Sequence, residues 1–250
     1  MSSLTKTILA TTLGLALTAN VFAQEQVHDV DPSDLTKAST SAYVGVNNKG
    51  DVKLSGSLAY TLDNGQMAMG TIEGTMNKEG DYNDSRIQYF HVFNIDNAVT
   101  PRVAASLDII DNQQFTTAAV GGIVMFTTPA ESLNIFVRGG VLAGSYDEDF
   151  ANAMGESDTD IVGGMAAAYF SWKTGDDGTY IMFSPEYTYL GGSIEDNTLK
   201  TSITFGTPLS QDKSKWGQFK LENTVSTMKS SSEKIDINDT AAWFFFKAYF

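Results

Sequence analysis

The 250-residue sequence predicts an all-β protein: an antiparallel transmembrane β-barrel of about twelve strands. Three observations predict it. From residue 39 onward, apolar and polar residues alternate in runs of roughly 8–14 residues. Strands of globular proteins run to only about 5–6 residues, whereas a strand crossing a bilayer needs about 9–11. The runs are separated by Gly, Asn, Asp and Pro clusters that mark turns, and no long segment carries helical periodicity. An even number of runs closes an antiparallel barrel and leaves both termini on one side.

Taken in order, the strand candidates are 39–46, 51–62, 66–77, 85–93, 102–110 and 115–127, then 133–145, 159–172, 179–191, 198–207, 218–228 and 240–250. The second run is representative. Val52, Leu54, Leu58, Tyr60 and Leu62 fall on one side, and Asp51, Lys53, Ser55, Ser57 and Thr61 on the other. A period of two means that one face meets an apolar medium and the other a polar one. "LDNGQ" (62–66) joins the second and third runs, because Asn-Gly favours the positive φ angles of a tight turn. "NNKG" begins the connections at one end, a set that includes "KEGDYND", "YDEDFANAMGESDTD" and "KSSSEKIDIND", longer and more polar than "DNG", "TPAES" and "TGDDG" at the other. "GTPLSQDKSKWG" is a long exception on the short side.

Residues 1–23 carry one lysine, an apolar run from Ile8 to Leu17, and small residues before Gln24. This is the layout of a secretory signal peptide. Removing it leaves 227 residues with a formal charge of −15 and no cysteine, which excludes a disulfide framework. So acidic a surface argues against nucleic acid as a partner. After residue 23 no stretch approaches the length of a transmembrane helix, which leaves strands as the only spanning elements. Residues 24–38 are polar and acidic and read as a separate N-terminal lead-in, with 39–250 forming the barrel.

The chain ends "AAWFFFKAYF". Phe244, Phe246, Ala248 and Phe250 fall on one face, and Trp243, Phe245, Lys247 and Tyr249 on the other. Such a terminus needs an apolar medium to receive it. Here the sequence resembles the Gram-negative outer-membrane β-barrel proteins, whose last strand ends in Phe with apolar residues at alternating positions before it. The resemblance implies that Phe244, Phe246, Ala248 and Phe250 form an assembly signal read by the barrel-assembly machinery. It also implies outer-membrane lipid around the barrel, periplasmic termini and a periplasmic segment 24–38.

No catalytic residue, cofactor or metal ligand emerges. The two histidines are His28, in the lead-in, and His91, on an apolar face with Ile87, Tyr89 and Phe93, where an amphipathic ring suits a membrane interface. There is no Gly-x-Ser-x-Gly and no histidine pair at metal-binding spacing. The polar faces instead predict a lumen lined by Lys53, Arg86, Arg138, Lys200, Lys220 and Lys247 against Glu73, Asp108, Glu186 and Glu222, a slight basic excess. Either this lumen is wet and mildly favours anions, or its charges pair and brace a closed barrel. Twelve-stranded barrels for acidic sugars form a known family with strongly basic lumens, and no arginine ladder of that kind is present here.

Gly121-Gly122, Gly139-Gly140 and Gly163-Gly164 sit near the middle of three consecutive runs, among small residues. They mark either close backbone approach or a recess that accepts a loop, a neighbouring barrel or a solute. The loop carrying Asp147, Glu148, Asp149, Glu156, Asp158 and Asp160 joins two of these runs. It is a solvated charged loop, a gate reaching toward Arg138, or a cation site off the twelve-residue calcium pattern. The function expected is a channel for passive diffusion of small hydrophilic solutes. The alternatives are a closed barrel presenting acidic loops and, further off, a hydrolase.

Overall fold

A computed structural model describes residues 30–250. The expected signal peptide (1–23) and His28 lie outside the described residues. Twelve strands form one closed antiparallel barrel: β1 (Ser41–Asn47), β2 (Val52–Thr61), β3 (Met67–Met76), β4 (Tyr82–Asn94), β5 (Arg102–Asn112), β6 (Phe115–Thr127), β7 (Leu133–Tyr146), β8 (Asp160–Lys173), β9 (Tyr180–Gly191), β10 (Glu195–Pro208), β11 (Lys215–Lys229) and β12 (Lys234–Tyr249). Each strand pairs with its sequence neighbours, and β1 closes against β12 from Ser41↔Tyr249 to Asn47↔Trp243. Closure satisfies every strand edge, which a barrel in lipid requires.

The alternation read from the sequence has a physical counterpart on the outer wall. Large apolar side chains stand exposed on every strand but β3, among them Leu58, Ile87, Leu107, Val120, Val141, Val162, Ile203, Phe219 and Phe244. A water-soluble protein does not carry a continuous apolar belt of this kind. Phe244 and Phe246 belong to this belt, while Trp243, Phe245 and Tyr249 are buried on the inner face. His91 also lies on the outer wall. It is hydrogen-bonded between Tyr89 Oη (3.1 Å) and Gln66 Oε1 (2.9 Å) and stacked near Phe93.

The connections differ from expectation. The stretch 234–239, read as loop, is strand: Ile235 pairs with Met228 and Asp236 with Thr227, so only 230–233 connects β11 to β12. Almost all of 234–240 is exposed on both faces, because this hairpin projects past the rim of the wall. Likewise 209–214, not 206–217, connects β10 to β11. The expected asymmetry between long and short ends therefore rests on one connection, 147–159 between β7 and β8. That connection contains a helix the sequence reading lacks, α1 (Glu148–Ala153), capped by Asp147, which accepts from the Asp149 and Phe150 amides. The Asn-Gly turn is as read: Gly65 has φ 78°, and its amide donates to Leu62 O at 2.9 Å.

Inside the barrel, apolar residues gather at the two ends with a charged belt between them. At the end that bears the termini, Val92, Ala104, Ile123, Met125 and Phe136 form one buried cluster, and Tyr180, Met182, Trp216 and Tyr249 another. At the far end Ala119, Leu142, Tyr146, Ile161, Leu190, Ile194 and Met228 pack with Ala151 of α1 and with Met154.

Candidate pore and its two closures

Two cavities occupy the charged belt. One, of about 350 Å³, is lined by residues of β2 to β10; the other, of about 340 Å³, shares part of that lining. Lys53, Glu73, Arg86, Glu186 and Lys200 line both. Asp108 and Arg138 line the first, and Lys220 and Glu222 the second. Lys247 lines neither: its ammonium stands over the rings of Tyr43 (5.8 Å) and Tyr249 (5.0 Å).

Two lining carboxylates were missed, Asp84 and Asp196, because both lie in stretches that read as turns. With them the cavity lining carries five basic and six acidic residues, so the expected basic excess does not hold for these walls. Tyr43, Tyr169, Trp243 and Phe245 add an aromatic part to the lining.

The belt divides into a paired wall and an open one. On β4, β5 and β7, Asp108 is almost wholly buried, with Oδ1 accepting from Arg86 Nε at 2.8 Å and Oδ2 from Arg138 at 2.8 Å. Gln88 donates to the same carboxylate, and Glu73 stands near Arg86 on its other side. Two guanidiniums on one buried carboxylate form a brace whose members cannot be removed singly without leaving a charge uncompensated. Across the lumen, Lys220 pairs with Glu222 at 2.7 Å. Lys53 makes no ion pair among the described residues and faces the Trp243 ring at 5.6 Å. Lys200, on β10, has no carboxylate within ion-pair distance among the described residues either. Asp196 is held by hydroxyls, Ser226 at 2.6 Å and Thr198 at 3.0 Å, and Asp84 by Thr75 at 2.9 Å.

The glycine pairs divide between the two faces by alternation, with Gly121, Gly140 and Gly163 inward and Gly122, Gly139 and Gly164 outward. Gly121 pairs directly with Gly140, and a Cβ built on it would lie 2.5 Å from Gly139 O. Neighbouring backbone fills that space.

The terminus-bearing end is closed by the segment expected as a lead-in. Residues 30–37 enter the barrel and cross it. Leu35 and Tyr169 of β8 each touch both apolar clusters, one from β4–β7 and the other from β9–β12. Ser33 and Thr36 have no exposure to solvent. Asp34 pairs with Arg102 at the start of β5, and Asp31 with Lys173 at the end of β8 (2.6 Å). Burial raises the pKa of the Asp31 carboxyl, but the hydrogen bonds from Lys173 and Ser33 outweigh it and hold the group below the usual value.

The far end is covered in part by the β7–β8 connection. Ser230 and Ser232 hydroxyls donate to Met154 O at 2.6 and 3.1 Å, and Glu156 accepts from the Ser231 amide (3.0 Å) and hydroxyl (2.7 Å). The acidic loop thus folds across the rim from β7 to the β11–β12 connection. Its carboxylates do not meet Arg138, which is paired with Asp108.

No family model matches the chain, and no curated protein matches it. Solved structures do. The NanC porin superimposes with a TM-score of 0.59 at 7% identity, over 85% of this chain and all of that one. An outer-membrane channel from Pseudomonas putida F1 gives 0.59 at 10% identity, over 89% of this chain and all of that one. The KdgM porin gives 0.53 at 9% identity, over 85% of this chain and 99% of that one. The fold is that of outer-membrane porins. At such identities the likeness carries the architecture and not the residues that line the lumen.

Proposed function

We propose that this protein is a porin-like outer-membrane channel for passive diffusion of small hydrophilic solutes, with a weak anion preference. The observation that carries this is the inverted wall: a continuous apolar belt outside and a charged, cavity-bearing belt inside. A lumen with charged side chains on most strands is stable only when they are paired or hydrated, and Lys53 and Lys200 have no ion-pair partner among the described residues. The anion preference is assigned to these two, since the lining as a whole is nearly balanced. Residues 1–23 are the proposed signal peptide and the termini the periplasmic side. The strand ending at Phe250 is the proposed signal to the barrel-assembly machinery.

A second reading keeps the barrel closed as a scaffold that presents acidic loops. Coverage of both ends favours it. Single-channel recording of the refolded protein under a salt gradient separates the two. Discrete current steps with an anion-biased reversal potential support the channel. Silence from protein whose heat-modifiable gel mobility marks it as folded supports the scaffold.

A further inference from the structure

Resting on the channel reading, we propose that residues 30–37 are an internal gate, a strap that crosses the lumen at the terminus-bearing end and must leave its seat for solute to pass. Thr40 is held beside β2 and β12, by the Ala59 and Phe250 amides, whereas Asp34 reaches β5 and Asp31 reaches β8, so the segment spans the lumen rather than lying along one wall. Thr36 donates to the Asp34 carboxylate at 2.6 Å and reaches Met125 Sδ at 3.6 Å, which keeps the strap turned inward. Two ion pairs, Asp34–Arg102 and Asp31–Lys173, tie it to β5 and β8.

The attachment has the character of a latch rather than of core. A permanent wall element would take its place in the strand ladder, whereas the amide bonds of Asp34 and Lys37 close turns within the strap, to Asp31 and Asp34 carbonyls. Its grip on the barrel comes from side chains: Lys173 of the Asp31 pair is half-exposed, while the Asp34–Arg102 pair is buried and holds until both charges rehydrate together as the strap lifts. Among the described residues the strap continues into the barrel wall through residues 38–40, where Thr40 O accepts from the Phe250 amide at 3.0 Å, so this point is the hinge. Gating of this kind needs two states that differ in a few contacts, and the strap supplies them.

The test uses the refolded chain without residues 1–23 in planar bilayers, compared with D31N/D34N and with a deletion of residues 30–37. The proposal expects the wild type to be mostly closed, D31N/D34N to raise open probability at least tenfold at unchanged step size, and the deletion to stay open. Because a deletion can impair folding, R102D is compared with the swap D34R/R102D, which should open and reclose the pore respectively. A wild type as open as the deletion overturns the gate and leaves the channel standing. Folded wild type and deletion that are both silent overturn the channel, and the gate with it.

Discussion

Asp108 is the residue on which the lumen's charge pattern turns. It is 1% exposed and accepts from Arg86, Gln88 and Arg138. D108A leaves two guanidiniums facing each other and should cost about 3 kcal/mol, the low end for a broken buried pair because Arg86 keeps some contact with water. Urea unfolding from liposomes measures it, and an unchanged midpoint removes the brace. Gly45 is the counterpart on the aromatic wall. The Cδ1–Cε1 edge of the Phe245 ring packs over it, so that a Cβ there would come within 2.3 Å of the ring. G45A should displace Phe245 into the lumen and cost about 1–3 kcal/mol. If its unfolding midpoint equals the wild type's, the ring does not need that seat. Glu156 supplies a dependence on pH. Hydrogen bonds from the Ser231 side chain and backbone hold its pKa below 4.5, so its contribution is present above that value and is lost as pH falls through the lower folded one. The hydrogen-exchange protection of the Ser231 amide, relative to the intrinsic rate at each pH, should fall on acidification in the wild type and be low throughout in E156A. Protection that survives in E156A would place the closure elsewhere.

Among the elements, β12 was read correctly in direction and face, and short in length. Its outer Phe244 and Phe246 and inner Trp243 and Phe245 follow from alternation alone. The first part, 234–239, was read as loop because charged residues alternate with Ile235 and Ile237 where no membrane is needed to explain them. Deleting Phe250 should lower the amount of assembled barrel several-fold while leaving export intact. Outer-membrane levels equal to the wild type's would end the reading of this strand as a signal. The helix α1 is too short to show a period, and only its cap, Asp147, was visible as a residue type suited to that role. Its burial against Leu190, Ile194 and Met228 joins residues remote in sequence, which no local pattern reports.

At the scale of the molecule, the barrel is a tube whose ends are treated differently. One is crossed by its own N-terminal segment, the other roofed in part from β7 to β11. Between them Lys53 and Lys200 line the same cavity as the Arg86–Asp108–Arg138 brace. K53Q/K200Q should move the reversal potential toward cations by several millivolts under a tenfold salt gradient, a shift that screening by salt keeps small. An identical reversal potential would take both lysines out of the permeation path. The near balance of charge in the lining was hidden in the sequence because Asp84 and Asp196 sit beside turns, where an acidic residue is ordinarily solvent-facing.

The sequence by itself determined what repetition of one local rule can determine. Period-two alternation sets which side chains face outward, turn residues set the number of strands, and an even number sets the common side of the termini. The ten charged residues expected in the lumen were read from parity alone, since the side a residue faces is a property of its own strand. Only the tertiary structure decided which of them pair and which stay open, because pairing depends on the heights at which separate strands bring Arg86, Asp108 and Arg138 together. It also decided that an acidic, polar lead-in would be buried. Asp31 and Asp34 read as solvated until the cations that neutralise them, Lys173 and Arg102, are supplied by strands far along the chain.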